Sequence, residues 1–186
     1  MSKIIILDRD GVINEDSDSF IKTVEECHLI PGVVEAISRL SNGGYRLFIA
    51  SNQSGIARGL LDEFALANIH QYISSMIEDG GGFIEGIVYC PHGPHDNCDC
   101  RKPKPGLLEK IGTEFDVELK GSPFVGDSLR DLIAAQAAGC EPVLVLTGKG
   151  QRTLSHGLPS GLGDLRVYKN LAEFADAQLK TDNVQC

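Results

Sequence analysis

Short apolar runs alternate with longer amphipathic stretches along almost the whole chain. Apolar runs bounded by Gly, Pro or polar residues predict strands, and apolar residues spaced three and four apart predict helices. The predicted strands are residues 4–7, 45–50, 83–89, 123–125, 142–146 and 166–168. The predicted helices are residues 31–42, 61–79, 106–115, 129–138 and 171–179. This alternation predicts an α/β fold with a doubly wound, mostly parallel sheet covered by helices on both faces.

The segments between these elements are predicted to be loops. Residues 14–30 and 91–104 are mostly polar or rich in Cys, His and Pro, and the glycine-rich residues 150–165 are expected to form a surface loop. The tail after Lys180 is expected to fray. No internal repeat, low-complexity segment or interdomain linker is present, and 186 residues suffice for a sizeable core. We therefore expect one domain over residues 1–186, without an insertion large enough to form a lid.

The first predicted strand carries the most informative pattern of the chain. Residues 4–7 are apolar, and they are followed by Asp8, Asp10 and Gly11. In an extended segment residues i and i+2 project to the same side, and α/β sheets place their chemistry at the carboxyl ends of their strands. Two neighbouring carboxylates repel unless a cation neutralises them or one holds a proton. The pair therefore predicts a divalent metal site, an acid/base role, or both.

Polar clusters also follow other predicted elements. They are Ser51-Asn52-Gln53 after the second strand, Arg101-Lys102 after the loop that follows the third, and Asp127 with Asp131 after the fourth. Each cluster alone is equally explained by a turn, a helix cap or a surface charge. Because strand ends share one edge of such a sheet, the clusters can meet in space. Together they supply carboxylates, a hydroxyl, amides and a lysine, an inventory that suits phosphoryl transfer.

A second motif lies in the loop after the third strand. Cys90, His92, Cys98 and Cys100 give a C-x-H…C-x-C pattern, with His95 as a competing ligand. Three thiolates and one imidazole predict a closed, structural Zn²⁺ site, and a set of unmetallated thiols is the alternative. Zinc bound by the loop over residues 90–100 would fix the positions of Arg101 and Lys102, which follow it, at the carboxyl edge of the sheet.

Composition limits the classes of partner. The net charge of −9 and a pI near 5.0 argue against general binding of nucleic acid or membrane surfaces. No signal peptide or membrane-spanning run is seen, so we expect a cytoplasmic protein, in which paired cysteines indicate metal before disulfide. Cys27, Cys140 and Cys186 lack metal-ligand spacing and are predicted to be core or surface thiols. We expect a monomer that acts on a small phosphorylated sugar.

Four of these motifs, in this order, resemble those of the haloacid dehalogenase (HAD) superfamily of phosphatases. The resemblance rests on Asp8-Arg9-Asp10-Gly11, Ser51, Lys102, and Gly126-Asp127-Ser128 with Asp131, and it covers roughly residues 1–150. It implies a Rossmann-like HAD fold and an aspartyl-phosphate mechanism. Any one of these motifs alone would be a weak signal.

The resemblance also implies a role for each matching residue. Asp8 would be the nucleophile, and Asp10 the general acid and then the general base. Mg²⁺ would be held by Asp8, by the backbone carbonyl of Asp10 and by Asp127. Lys102 would neutralise charge beside the phosphate, and Ser51 would bind a phosphate oxygen. Asp131 is expected to support the metal site without ligating the metal directly.

A narrower resemblance is to two families that combine this fold with a C-x-H…C-x-C loop. Residues 51–59 and 100–103 resemble the heptose 1,7-bisphosphate phosphatases, and the histidinol-phosphate phosphatases are the alternative. The first implies removal of the C7 phosphate of D-glycero-D-manno-heptose 1,7-bisphosphate, on the way to nucleotide-activated heptose and the lipopolysaccharide core. Asn52, Gln53, Arg58 and Arg101 are then expected to contact substrate, because guanidinium groups bind phosphate oxygens in pairs.

Two other classes stay open at this stage. A phosphoacceptor signalling domain also uses carboxylates at strand ends, although its acceptor normally lies on a middle strand. A zinc-stapled binding module without catalysis is the other, and the complete carboxylate set argues against it. Residues 93–97 are the part of the zinc loop where the resemblance is weakest, and they could alter specificity.

Overall fold

A parallel six-stranded sheet organises the protein, for which a computed structural model describes residues 3–162 and 165–184. The strands are β1 (Lys3–Leu7), β2 (Tyr45–Asn52), β3 (Gly86–Cys90), β4 (Pro123–Gly126), β5 (Glu141–Val145) and β6 (Arg166–Tyr168). Their order is β3-β2-β1-β4-β5-β6, and every pairing is parallel. The prediction of a doubly wound parallel sheet is therefore confirmed.

Six helices cover the sheet. They are α1 (Val33–Asn42), α2 (Glu63–Asp79), α3 (Gly106–Glu114), α4 (Leu129–Ala137), α5 (Gly150–Ser155) and α6 (Leu171–Val184). Among the described residues, no helix combines the length and apolar character that crossing a membrane would require. No connection within residues 3–162 carries a folded lid domain, as the sequence predicts.

The central strand β1 explains why the core has two layers. Alternate side chains of a strand point to opposite faces of the sheet. Ile5 and Leu7 pack with residues of α1, α2 and α6, whereas Ile4 and Ile6 pack with residues of α3 and α4. A strand with helices on both faces must be apolar throughout, and burying each such side chain contributes roughly 1.5–3 kcal/mol.

The direction in which successive strands are added to the sheet reverses between β1 and β4. From β1 the chain first builds outward through β2 and β3, and it then returns to place β4 on the other side of β1. In open α/β sheets this reversal opens a crevice at the carboxyl ends of the two central strands, where ligands bind. The polar clusters that follow β1, β2 and β4 therefore converge on one crevice.

Three element predictions were wrong in their extent. β3 begins at Gly86 and not at residue 83, because the apolar Phe83 lies 54% exposed and outside the sheet. The predicted loop 150–165 contains helix α5, whose first residue, Gly150, lies so close to the Val145 carbonyl that a Cβ would stand 1.8 Å from its oxygen. Helix α6 continues past Lys180 to Val184.

The remaining cysteines divide between described and undescribed residues. Cys27 and Cys140 are buried in the core, which is one of the two positions, core or surface, that the sequence leaves open for them. Cys186 lies outside the described residues.

Candidate active site

A buried lysine holds two carboxylates together at the floor of the crevice. Nζ of Lys102 lies 2.9 Å from Oδ1 of Asp8 and 2.7 Å from Oδ1 of Asp131, and it donates to the Ala50 carbonyl at 2.9 Å. The Lys102 side chain is 2% exposed. The structure thus brings together groups that β1, β2, α4 and the loop before α3 contribute from distant parts of the sequence.

Asn52, at the end of β2, fixes the backbone around this lysine. Its Nδ2 donates to the Lys102 carbonyl at 3.0 Å, and its Oδ1 accepts from the Lys102 N–H at 3.1 Å. Both atoms of the amide are therefore engaged with backbone. A contact between Asn52 and phosphate stays a prediction. The two hydrogen bonds show that Asn52 positions the loop that carries Lys102.

The carboxylates of the crevice strongly perturb one another. Oxygens of Asp8, Asp127 and Asp131 lie within 4.8 Å of each other. Burial, and then the negative charge of Asp131, raise the pKa of Asp8 well above its ordinary value and that of Asp127 to about 7. Burial alone would lower the pKa of Lys102, but Asp131 and Asp8 outweigh it and raise that pKa. Such a cluster offers hard oxygen donors to a small divalent cation.

Asp131 uses both of its oxygens within the protein. Oδ1 pairs with Lys102, and Oδ2 accepts from the backbone N–H of Ser128 at 3.0 Å and from its hydroxyl at 2.6 Å. The Ser128 contacts form a capping box at the start of α4. Burial opposes ionisation of Asp131, yet Lys102 and Ser128 hold its pKa below the ordinary value.

Asp127 lies in a cradle that sequence reasoning missed. A Cβ on Gly11 would stand 2.0 Å from Oδ2 of Asp127, and one on Gly148 would stand 2.2 Å from the same atom. That oxygen accepts from the Lys149 N–H at 2.7 Å, and the Asp127 carbonyl accepts from Thr153 Oγ1 at 2.9 Å. Residues after β5 therefore help to position the carboxylate. The available signal was the Thr-Gly-Lys-Gly sequence directly after a strand end.

Asp10 has surroundings opposite to those of Asp8. Burial alone would raise its pKa, but Arg9 and then Asn14, which donates to Oδ1 at 2.9 Å, hold that pKa below the ordinary value. Gln53 donates to Asp10 Oδ2 at 2.9 Å, and a contact between Gln53 and phosphate stays a prediction. Gln53 also donates to Oγ of the buried Ser51 at 2.7 Å. Arg9 and Asn14 are further site residues that the sequence analysis did not single out.

A polar cavity of about 300 Å³ opens above these groups. Its walls include Arg58 and Arg101, whose contact with substrate stays a prediction, and Arg130, which the sequence analysis did not single out. Burial, and then the nearby charge of Arg130, lower the pKa of Arg101, so the guanidinium groups are close enough to repel. Arg130 lies in the first turn of α4, where the helix dipole disfavours a cation. An arginine at this unfavourable position is the signal by which the sequence could have identified Arg130 as a site residue.

Acidic side chains also line this cavity. Asp16 and Asp18 line it, and Lys149 Nζ lies 2.7 Å from Oδ2 of Asp16. Carboxylates of this kind suit hydroxyl groups, which donate hydrogen bonds to them. The cavity therefore presents both cations and hydrogen-bond acceptors, a combination that fits a phosphorylated polyol.

The Cys/His loop gathers its four predicted ligands into one cluster. Sγ of Cys90 lies 3.7 Å from Cys98 Sγ and 3.1 Å from Cys100 Sγ. Nδ1 of His92 lies 3.5 Å and 3.3 Å from the sulfurs of Cys90 and Cys100. The sulfur–sulfur distances are too long for disulfide bonds, and the one between Cys90 and Cys98 is close to the edge, about 3.8 Å, of a tetrahedron of sulfurs around zinc. Arg101 donates to the His92 carbonyl at 3.1 Å, so the cluster is tied to the cavity wall.

Three comparisons with known proteins agree with this geometry. Residues 99–174 match the HAD-hydrolase-like family model. The chain is 52% identical to the D-glycero-beta-D-manno-heptose-1,7-bisphosphate 7-phosphatase of Pseudomonas aeruginosa, over 95% of this chain and 98% of that protein. It is 54% identical to the Pseudomonas putida enzyme of the same name, over 93% and 97% of the two chains.

A solved structure is equally similar. The crystal structure of the D,D-heptose 1,7-bisphosphate phosphatase from B. bronchiseptica, complexed with magnesium and phosphate, superposes with a TM-score of 0.91. The two chains are 49% identical, and the match covers 96% of this chain and 99% of the other.

Proposed function

Since the chain belongs to the D-glycero-beta-D-manno-heptose-1,7-bisphosphate 7-phosphatase family of HAD-like hydrolases, we propose that it removes the C7 phosphate of that bisphosphate. The product would feed the pathway to nucleotide-activated heptose and the lipopolysaccharide core. The observation that carries the proposal is one cavity that joins the buried Asp8–Lys102 pair to Arg58, Arg101 and Arg130. A bisphosphate needs both a site of chemistry and a second anion site, and this cavity offers both.

The reaction would proceed in two steps on Asp8. A carboxylate oxygen of Asp8 attacks phosphorus and forms an aspartyl-phosphate, while the bond from phosphorus to the C7 oxygen breaks and Asp10 gives that oxygen a proton. Asp10 then takes a proton from water, which attacks the same phosphorus and releases Asp8 and inorganic phosphate. Lys102 stabilises the charge beside Asp8, and Ser51 donates its hydroxyl to a phosphate oxygen.

The donor set at the crevice fits Mg²⁺. The carboxylates of Asp8 and Asp127 and the backbone carbonyl of Asp10 would hold it, which agrees with the hard oxygen ligands that this ion prefers. When bound, the ion neutralises phosphate charge as a Lewis acid. The close packing of Gly11 and Gly148 against Asp127 supports this assignment, because it fixes one carboxylate oxygen and leaves no room for a larger residue. Asp131, with both oxygens engaged, is proposed to support the site from outside.

The Cys/His cluster fits Zn²⁺ in a structural role. Cys90, His92, Cys98 and Cys100 supply three sulfurs and one nitrogen, all within 4.8 Å of one another, and four such ligands would leave no position on the ion for substrate. His95 is not part of this cluster among the described residues. The ion would stabilise the loop that carries Arg101 and Lys102.

The arginines favour a bisphosphate over histidinol phosphate. The latter carries an ammonium group, which three guanidinium groups in one cavity would repel. The same charges would attract the C1 phosphate of the heptose and align C7 with Asp8. The cytoplasmic location and monomeric state stay predictions from the sequence.

A substrate comparison tests the proposal. Phosphate release from the β-anomer of D-glycero-D-manno-heptose 1,7-bisphosphate, its α-anomer and histidinol phosphate should be measured with Mg²⁺, and mass spectrometry should show that C7 loses its phosphate. We expect the highest kcat/KM for a heptose bisphosphate and no turnover in Asp8→Asn. A preference for histidinol phosphate would contradict the assignment, and an active Asp8→Asn would contradict the mechanism.

A further inference from the structure

One amide group links the acid/base carboxylate to the phosphate-binding hydroxyl. Nε2 of Gln53 donates to Asp10 Oδ2 at 2.9 Å and to Ser51 Oγ at 2.7 Å, and Oε1 accepts from Arg9 at 3.1 Å. The Gln53 side chain is almost completely buried. All of its hydrogen-bonding groups are therefore committed to partners inside the site.

The chemistry of the partners fixes the direction of each bond. A guanidinium group can only donate, so it must face Oε1 of Gln53 and not its NH₂ group. Both N–H bonds of the amide then point to Asp10 and Ser51. Because Ser51 Oγ accepts from Gln53, its own proton is free for another acceptor, and a phosphate oxygen is the acceptor that the site supplies.

Arg9 is the anchor of this arrangement. Its side chain is fully buried, and it donates to Asp10 Oδ1 through Nε at 3.0 Å and through an Nη nitrogen at 2.8 Å. The other Nη nitrogen lies 3.4 Å from Nε2 of His70. Asn14 adds a third donor to Oδ1 at 2.9 Å. Oδ1 is thus fully occupied, whereas Oδ2 has only Gln53 and a longer contact of 3.1 Å from Arg9.

From this geometry we propose that Arg9 and Gln53 are positioning residues for proton transfer, and that they make Oδ2 the oxygen of Asp10 that exchanges the proton. Arg9 holds Oδ1 of Asp10 through two hydrogen bonds and sets the orientation of the Gln53 amide. Gln53 then holds Oδ2 of Asp10 in a fixed relation to the Ser51 hydroxyl. The proposal rests on the acid/base role of Asp10 in the proposed function.

A purely structural role for Arg9 predicts different kinetics. If Arg9 only neutralised a buried carboxylate, its loss would reduce the folded or active fraction and slow every substrate by the same factor. If Arg9 positions Asp10, its loss must weaken proton donation to the leaving group. Phosphate esters with poor leaving groups need that proton, and esters with good leaving groups do not.

The test is therefore a leaving-group series. Wild type, Arg9→Met and Gln53→Met should be assayed with phenyl phosphate, whose leaving group is poor, and with 4-nitrophenyl phosphate, whose leaving group is good. We expect kcat/KM of both variants to fall about 100-fold or more with phenyl phosphate, the scale of general acid catalysis, and less than about tenfold with 4-nitrophenyl phosphate. Arg9→Lys, which keeps one charged donor, should recover part of the difference.

The chain offers a closely matched control in Arg166. This residue also pairs with a carboxylate, Glu141, at 3.1 Å and donates to a glutamine oxygen, that of Gln178, at 2.7 Å, but it lies on the edge strand β6. Arg166→Met should leave the ratio between the two substrates unchanged. Equal losses on both substrates in the Arg9 and Gln53 variants would overturn the proposal, as would wild-type rates.

Two further readouts keep the experiment decisive. If Arg9→Met does not fold, as judged by circular dichroism, Gln53→Met carries the test, since it replaces a neutral side chain of similar volume. The series needs no heptose substrate. Wild-type activity on aryl phosphates without activity on the heptose bisphosphate would remove the substrate assignment and leave the positioning test intact.

Discussion

Replacement of Asp127 by Asn should stabilise the magnesium-free protein while abolishing its response to magnesium. Asp127 is 3% exposed, and burial together with Asp131 raises its pKa to about 7. Asn keeps an oxygen that can accept from the Lys149 N–H, which donates at 2.7 Å in the native protein. The substitution therefore removes the unfavourable charge with little change in shape.

The magnitude follows from proton linkage. A carboxyl with a pKa of 3.8 when unfolded and about 7 when folded lowers the stability at pH 7.5 by about 4 kcal/mol relative to its neutral form. Because the pKa of Asp127 is raised in the folded protein, the contribution of its protonated form to stability is fully present below about pH 4. This contribution is lost as the pH rises through 7. The gain from Asp127→Asn should then shrink to about 2 kcal/mol at pH 5.5 and about 1 kcal/mol at pH 4.5.

Urea unfolding at these three pH values measures the effect. It should be carried out in magnesium-free buffer, without strong chelators that would remove the zinc proposed for the Cys/His site. Addition of Mg²⁺ at 100 times its dissociation constant should stabilise the wild type by about 2.7 kcal/mol and leave Asp127→Asn unchanged. Asp79→Asn, at the exposed end of α2, is the matched control and should stay within about 0.5 kcal/mol of the wild type.

Two results would refute the reasoning. One is an Asp127→Asn protein that is no more stable than the wild type at pH 7.5 without magnesium. The other is a stability gain that does not change between pH 7.5 and 4.5. Either result would mean that the Asp127 charge is already compensated inside the protein.

Three shorter predictions concern other parts of the site. Gly11→Ala should lower Mg²⁺ affinity about 10- to 100-fold, measured by calorimetry, because its Cβ would stand 2.0 Å from Asp127 Oδ2 on a backbone with φ +84°. Cys98→Ser should remove zinc, measured by elemental analysis, and a loss of about 3 kcal/mol would lower the Tm by about 6–12 °C; an unchanged metal content would contradict the ligand set. Burial, and then Arg9, lower the pKa of His70 to about 3, so the contribution of His70 to wild-type stability should fall as the pH drops below about 6.5. Relative to its value at pH 7.5, the stability of His70→Gln should be about 2 kcal/mol higher than that of the wild type at pH 5, and an equal stability difference at both pH values, measured by urea unfolding, would contradict this.

The parts of the fold that the sequence predicts are those in which local pattern and topology agree. Four apolar residues before Asp8 are best explained as a strand covered on both faces, and the alternation of strands and helices then leaves one edge for the chemistry. This is why Asp8, Lys102 and Asp127 could be assigned to one site although they are far apart in the chain. An apolar residue alone was not enough at Phe83, which was predicted to begin β3 but is exposed and lies before the first residue of that strand.

The residues that sequence reasoning missed act through backbone shape or through long-range burial. Gly148 and Lys149 matter because a turn after β5 brings their backbone against Asp127. Glycine-rich segments carry no hydrophobic period, so their path cannot be derived locally. Arg9 is charged and would ordinarily be placed on the surface. Its full burial depends on Gln53 and His70, which reach it only after β2 and α2 have packed.

The different roles proposed for Asp8 and Asp10 also depend on partners that the sequence alone does not reveal. Their positions suggest an ionised Asp8 and a proton-carrying Asp10, whereas the surrounding protein groups raise the pKa of Asp8 and lower that of Asp10. A divalent cation beside Asp8 would reverse the first effect, because it favours the carboxylate form. A phosphate dianion arriving beside Asp10 would oppose the second, because like charge favours the protonated form. The proposed roles of these two carboxylates in one tripeptide would thus be completed by metal and substrate, and the protein supplies the geometry on which they would act.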